Sequence, residues 1–133
     1  MSFLEWDESL DVHVDAINHQ HKGLIDRMNR LHELVEQGAN RALIGAQLVG
    51  LGQATTTHFA QEEQYMASIG YPKLSQHKII HTKLLKKFGD HVAEFEAGKE
   101  LGQPFFYFLK VWLQSHIRGI DVQYSEFSLS QSA

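Results

Sequence analysis

His58 and Glu62 stand four residues apart, and so do His77 and His81. This spacing constrains the fold more than any other feature of the chain. On an α-helix, residues i and i+4 lie one above the other on the same face. Each pair aims two side chains at one point if its segment is helical. Three more residues stand near the ends of other segments with helical character: His21, His116 and Asp121. One such pair is common. Two pairs, two further His and an Asp point to a metal centre bound by several helices.

The apolar pattern predicts those helices. Residues 1–15 read as an irregular arm. A first helix is expected from about Asp15 to Gln37, with Ile17, Leu24, Ile25, Met28, Leu31, Leu34 and Val35 at helical spacing. Gly38 suits its C-terminal end. A second is expected from about Arg41 to Ser68. Gly45, Gly50 and Gly52 each lower its propensity by up to about 1 kcal/mol against Ala. No strand alternation competes there, and close helix packing favours small residues. Ile69-Gly70-Tyr71-Pro72 is a break. A third helix is expected from about Leu74 to Ala97, ending at Gly98. A fourth opens at Pro104 and runs to about Arg118 before Gly119 interrupts it. The polar tail from Ser125 to Ala133 is expected to fray. The short connections predict one all-α domain over 1–133, an up-down-up-down antiparallel four-helix bundle with an irregular N-terminal arm.

On this map His21 lies early on the first helix and His58 late on the second. His77 lies early on the third and His116 late on the fourth. Antiparallel neighbours bring all four toward one end of the bundle. Asp121 is the exception, because five residues beyond His116 is about 500° on a regular helix, roughly 140° off its face. Gly119 supplies the freedom for a disturbed helix to turn Asp121 back.

Seven ligands exceed the four of a tetrahedral zinc site but suit two metals. If both carboxylates bridge, three His give one metal five protein bonds and two His give the other four; an oxo or hydroxo bridge makes six and five, so one metal is saturated and its neighbour keeps an open position. Iron fits the oxygen bridges and the octahedral count best. Two other patterns fit less well. His77-x-x-x-His81 has the His spacing of zinc proteases, but Lys78 stands where Glu would serve as base. Carboxylate-rich di-iron bundles use Glu-x-x-His at i,i+3, which this chain lacks.

Composition narrows the function classes. The chain has no Cys, so any metal is held by N and O donors, and a reducing compartment fits. A net charge of −4 gives no footprint for nucleic acid. No apolar stretch is long enough to span a bilayer, and Met1 to Asp7 does not resemble a secretory signal. A cytoplasmic, globular protein is expected. Of the nine His, His13, His19, His32 and His91 read as surface or core residues.

Four segments together resemble the hemerythrin family, in its single-domain bacterial form: Asn18-His19-Gln20-His21-Lys22, His58-Phe59-Ala60-Gln61-Glu62-Glu63, His77-x-x-x-His81 and His116-Ile117-Arg118-Gly119-Ile120-Asp121. The resemblance runs from Trp6 to Tyr124. It implies reversible O2 binding at a non-haem pair of iron ions with a bridging oxo or hydroxo group. It also implies that His77, His81 and His116 hold the saturated iron, that His21 and His58 hold the open one, and that Glu62 and Asp121 bridge. Leu24, Phe59, Trp112, Leu113 and Ile117 fall near ligands in sequence, and the resemblance places them around the O2 site. Asn18 stands where many relatives have an acid, so a contact near His21 is expected to differ. Tyr124 is read either as a hydrogen-bonding partner near Asp121 or as packing.

An O2 carrier, store or supplier to an O2-consuming enzyme is the first functional expectation. A di-iron redox enzyme acting on peroxide or nitric oxide, or a sensor, is the alternative. No Tyr, Lys or acid stands among the pocket positions as an added proton donor, which favours the carrier.

Overall fold

The computed structural model describes residues 2–131. Its frame is four long helices: α1 (Asp15–Glu36), α2 (Arg41–Ser68), α3 (Leu74–Glu96) and α4 (Gln103–His116). There is no strand among the described residues. α1 packs on α2 and α2 on α3. Phe88 of α3 meets Phe105 of α4 at a ring separation of 5.8 Å. Phe106 of α4 meets His32 of α1 at 4.9 Å, which closes the bundle.

The helix ends explain the tight connections. Gly38, Gly70 and Gly98 have φ of 70°, 68° and 103°, a region that L side chains resist. Each lets the chain fold back onto the last turn: Ala39 N–H donates to the Leu34 carbonyl, Tyr71 to Met66 and Lys99 to Glu94. Asn40 caps α2 by accepting from Leu43 N–H at 2.9 Å. The glycines inside α2 allow close approach. A Cβ on Gly52 would stand 3.0 Å from the Phe88 ring and one on Gly45 3.4 Å from the Phe95 ring, so two aromatic side chains of α3 seat against bare backbone.

The N-terminal arm is irregular apart from one 3-10 turn, Glu8–Leu10, yet it is anchored. Leu4, Leu10 and Val12 are buried. Asn29 of α1 accepts from Leu4 N–H at 2.7 Å and donates to the Leu4 carbonyl at 2.8 Å.

The C-terminal region departs from expectation. The chain does not stop near Arg118 and fray from Ser125. A π-helical turn, Ile117–Asp121, follows α4, and α5 (Val122–Gln131) continues from it. Tyr124 and Ser125 are buried, and Phe127 packs against the core. Burial of that face offsets the weak propensity of a polar sequence. The last two residues of the expected tail, 132–133, lie outside the described residues.

Candidate metal centre

Each helix delivers its part of the cluster near the same end of the bundle. His21 comes from α1, His58 and Glu62 from α2, His77 and His81 from α3, and His116 from the last residue of α4. All seven side chains are buried, with Glu62 and Asp121 at 0% exposure. Asp121 reaches the group through the π-helical turn. There the hydrogen bond runs back five residues instead of four, so residues five apart come to the same face. This replaces the expected glycine kink. Gly119 lies outside the left-handed region, and a Cβ on it would meet nothing within 4 Å.

The polar atoms sort into two groups. Glu62 Oε1 lies 2.9 Å from His81 Nε2 and 3.3 Å from His77 Nε2. Asp121 Oδ1 lies 3.0 Å from His116 Nε2 and 3.1 Å from His77 Nε2. The other oxygens face the opposite way. Glu62 Oε2 is 3.6 Å from His58 Nε2 and 3.7 Å from His21 Nε2, and Asp121 Oδ2 is 3.4 Å from His21 Nε2. All five imidazoles turn Nε2 inward. Glu62, His77, His81, His116 and Asp121 form one group able to hold a cation, and His21, His58 and Glu62 form a second.

Hydrogen bonding does not account for this convergence. Both nitrogens of His21, His81 Nε2, Glu62 Oε1 and both Asp121 oxygens are buried without a hydrogen-bond partner. His77 Nε2 and His116 Nε2 face one another at 3.3 Å. Leaving one such atom unpaired costs roughly 1–3 kcal/mol, and more for a charged group. Cations at the two positions would satisfy all of these inward-facing atoms at once, leaving aside His21 Nδ1 on the far side of its ring, and the all-N,O donor set suits a first-row transition metal.

The charges respond to this crowding. Burial pushes His21 and His77 down, but Asp121 and Glu62 beside them prevail and raise both to about 9. Burial lowers His58 to about 4. Glu62 is raised by burial, yet the imidazoles of His21, His77 and His81 hold it well below the carboxylate range. Asp121 is likewise depressed, as burial and Glu62 are outweighed chiefly by His116 and His21.

Outside the cluster, three residues position its members. Gln20 Oε1 lies 2.7 Å from His58 Nδ1, and Glu63 Oε2 lies 2.8 Å from His81 Nδ1. Tyr124 settles on the hydrogen-bonding side of its two readings, but its hydroxyl donates to Glu62 Oε2 at 2.9 Å, not to Asp121. Gln20 and Glu63 stand inside the segments that carry the resemblance, but the sequence assigns them no role. Their signals are that membership and adjacency, since each directly neighbours a cluster residue. Asn18 does not reach toward His21. It donates to Asp11 Oδ1 at 2.7 Å and accepts from Val12 N–H at 3.1 Å, tying the arm to α1.

The five apolar pocket candidates are all buried. Phe59 stacks on His81 at 3.8 Å and meets Trp112 edge-on at 5.8 Å. Leu24 and His58 face a groove of about 410 Å³ between α1 and α2, which also runs past Gln20, Arg27 and Gln61. Of the remaining His, His32 stacks on Phe3 at 4.5 Å and His91 on Phe108 at 5.2 Å. His19 is exposed, and His13 is exposed at φ 58°.

Residues 12–126 match the Hemerythrin HHE cation binding domain. The chain is 32% identical to a bacteriohemerythrin of Stenotrophomonas maltophilia over 95% of its own length and 82% of that protein. It is 32% identical to a myohemerythrin of Riftia pachyptila, over 90% of this chain and 88% of that one. A wild-type hemerythrin crystal structure superposes with a TM-score of 0.85 at 34% identity, covering 92% of this chain and 95% of that one.

Proposed function

The chain belongs to the hemerythrin family, and from that premise we propose that it binds O2 reversibly at two iron ions held by the seven converging side chains. In this reading His77, His81 and His116 hold one iron, His21 and His58 the other, and Glu62 and Asp121 bridge. The observation that carries it is the division of the carboxylate oxygens. Each carboxylate turns one oxygen to each His group, at 2.9–3.7 Å from the facing nitrogens. With three imidazoles on one side and two on the other, the side of His21 and His58 would leave an iron held there one donor short, with room for O2. The iron pair, with an oxo or hydroxo bridge, supplies the electrons that O2 takes up on binding and returns on release.

The chain's own part is to hold this centre dry and to withhold protons. Leu24, Phe59, Trp112, Leu113 and Ile117 form an apolar wall in this reading, and their burial supports it. Excluding water from a site removes the routes to side reactions. Tyr124 is the nearest phenol. Burial, reinforced by the charges of Glu62 and Asp121, pushes it far above the phenol range. It keeps its proton and spends it on Glu62. That favours a carrier, store or supplier to an O2-consuming enzyme over a peroxide or nitric oxide enzyme, and a cytoplasmic setting belongs to the same reading. No helix among the described residues is long and apolar enough to cross a membrane.

The test is a visible spectrum of anaerobically iron-loaded protein, taken before air, in air and after deoxygenation, with iron counted per chain. A charge-transfer band that appears in air and disappears when O2 is removed, at two irons per chain, is the expected result. Irreversible conversion in air overturns reversible binding and favours redox chemistry. Fewer than two irons overturns the ligand assignment.

A further inference from the structure

His58 and His81 stand on opposite sides of the cluster and are anchored in the same manner, but to chemically different partners. With Nε2 turned inward, each carries its proton on Nδ1 and donates it outward. His81 donates to the Glu63 carboxylate at 2.8 Å, and His58 donates to the Gln20 amide oxygen at 2.7 Å. The bonds are alike in length and differ by a full negative charge. The Gln20 amide is itself oriented, because its nitrogen donates to Gln61 Oε1 at 2.5 Å. Its oxygen, not its nitrogen, is therefore held against His58.

The acceptor behind a metal-bound imidazole sets how strongly that imidazole donates, and a carboxylate raises its basicity more than a neutral amide does. Given the two-iron reading above, on which this step rests, we infer that Gln20 and Glu63 make the two metal positions electronically unequal. Glu63 enriches the position shared by His77, His81 and His116. Gln20 leaves the position shared by His21 and His58 electron-poor. With Gln20 rather than a carboxylate behind His58, iron held there would have a higher potential, which would favour return of the electrons to the pair when O2 leaves over permanent oxidation. Gln20 is a positioning residue in this scheme, acting only through His58.

Two variants with opposite sign test it. Gln20→Glu keeps an acceptor behind His58 and adds charge, and Glu63→Gln keeps an acceptor behind His81 and removes charge. An anaerobic redox titration of the iron-loaded protein should show the potential of the iron pair falling in Gln20→Glu and rising in Glu63→Gln. Spontaneous oxidation of the O2-loaded protein should quicken in Gln20→Glu, by about tenfold if the effect matches the low end of the 10–100-fold changes in metal affinity or activity that such outer partners produce. Gln61→Glu is the control, since it adds the same charge one hydrogen bond further out. The inference is overturned if Gln61→Glu shifts the potential as much as Gln20→Glu, or if both test variants carry two irons at unchanged potential. A purely structural role would not produce shifts of opposite sign. If one variant fails to load iron, the sign of the shift in the other decides. The titration needs no O2, so loss of O2 binding would sink the carrier reading while leaving this test intact.

Discussion

Glu62 and Asp121 lie side by side with their oxygens sorted alike: Oε1 and Oδ1 both approach His77, while Oε2 and Oδ2 both approach His21. Two carboxylates at 0% exposure would repel one another strongly without cations between the flanking imidazoles. In the two-iron reading, removing either one would take a ligand from both positions. Glu62→Ala and Asp121→Ala should each load fewer than two irons per chain, measured by metal analysis after anaerobic loading and desalting. Two tightly held irons in either variant would rule out the bridging role.

His58 is one of only two imidazoles on its side of the cluster, and its ring is buried. His58→Ala should abolish the reversible O2 band, because the open position would keep a single imidazole. The visible spectrum and the iron count are to be read together. Reversible binding that persists with two irons bound refutes the assignment of His58.

The metal-free protein should have a narrow range of best stability. His21 and His77 rise from 6.5 to about 9 on folding, so their contribution is complete below 6.5 and is lost as pH climbs through about 9. His58 falls from 6.5 to about 4, so its contribution is complete above 6.5 and is lost as pH drops toward about 4. Glu62 and Asp121, both depressed, add to the loss on the acid side, below their usual 4.5 and 3.8. Urea midpoints of the metal-free protein should therefore peak near pH 6.5 and decline toward pH 9. Metal must also displace the protons on His21 and His77. Apparent affinity should rise from pH 7 to 9 with protons released on binding, as a titration in weak buffer would show. A flat midpoint between pH 6.5 and 9 would contradict the raised values.

The sequence shows some of these features more openly than others. The pairs His58/Glu62 and His77/His81 are visible because a regular helix converts a spacing of four into a shared face. The glycine ends at Gly38 and Gly98 are visible because few other residues tolerate a positive φ. Asp121 is legible as a candidate and so is the need for a disturbed helix, but the form of that disturbance is hidden, because nothing in Ile117-Arg118-Gly119-Ile120-Asp121 specifies a π-helical turn. α5 is hidden for a related reason. Tyr124 and Phe127 continue the inward face three and six residues after Asp121, but Ser and Gln dominate the segment and the helix forms through tertiary burial. Gln20 and Glu63 are polar residues of ordinary type, and only the fold shows which imidazole each one meets.

The Tyr124 hydroxyl donates to a buried carboxylate, so its loss should be felt in the metal-free state, where Glu62 has no cation. A hydrogen bond to a charged group is worth about 1.5–3 kcal/mol. Tyr124→Phe should lower the unfolding free energy of the metal-free protein by that amount. The loss should shrink once metal is bound, because Glu62 then has another partner. No loss in either state would mean that Tyr124 acts by packing alone, and an equal loss with metal bound would mean that metal does not take over Glu62.

Gly52 and Gly89 should respond oppositely to the same substitution. Both are helical, and Gly→Ala in a helix interior gains about 0.5–1 kcal/mol when nothing else changes. A Cβ on Gly89 meets nothing within 4 Å, so Gly89→Ala should be stabilising by about that amount. A Cβ on Gly52 stands 3.0 Å from the Phe88 ring. Phe88 is buried and packs against Phe105 at 5.8 Å, so the ring has little room to withdraw. Overpacking a filled core costs about 1–3 kcal/mol, which exceeds the propensity gain. Gly52→Ala should therefore be destabilising by up to about 2 kcal/mol. Urea unfolding of the two variants side by side measures both signs, and stabilisation by Gly52→Ala would show that α2 and α3 are not held apart by this contact.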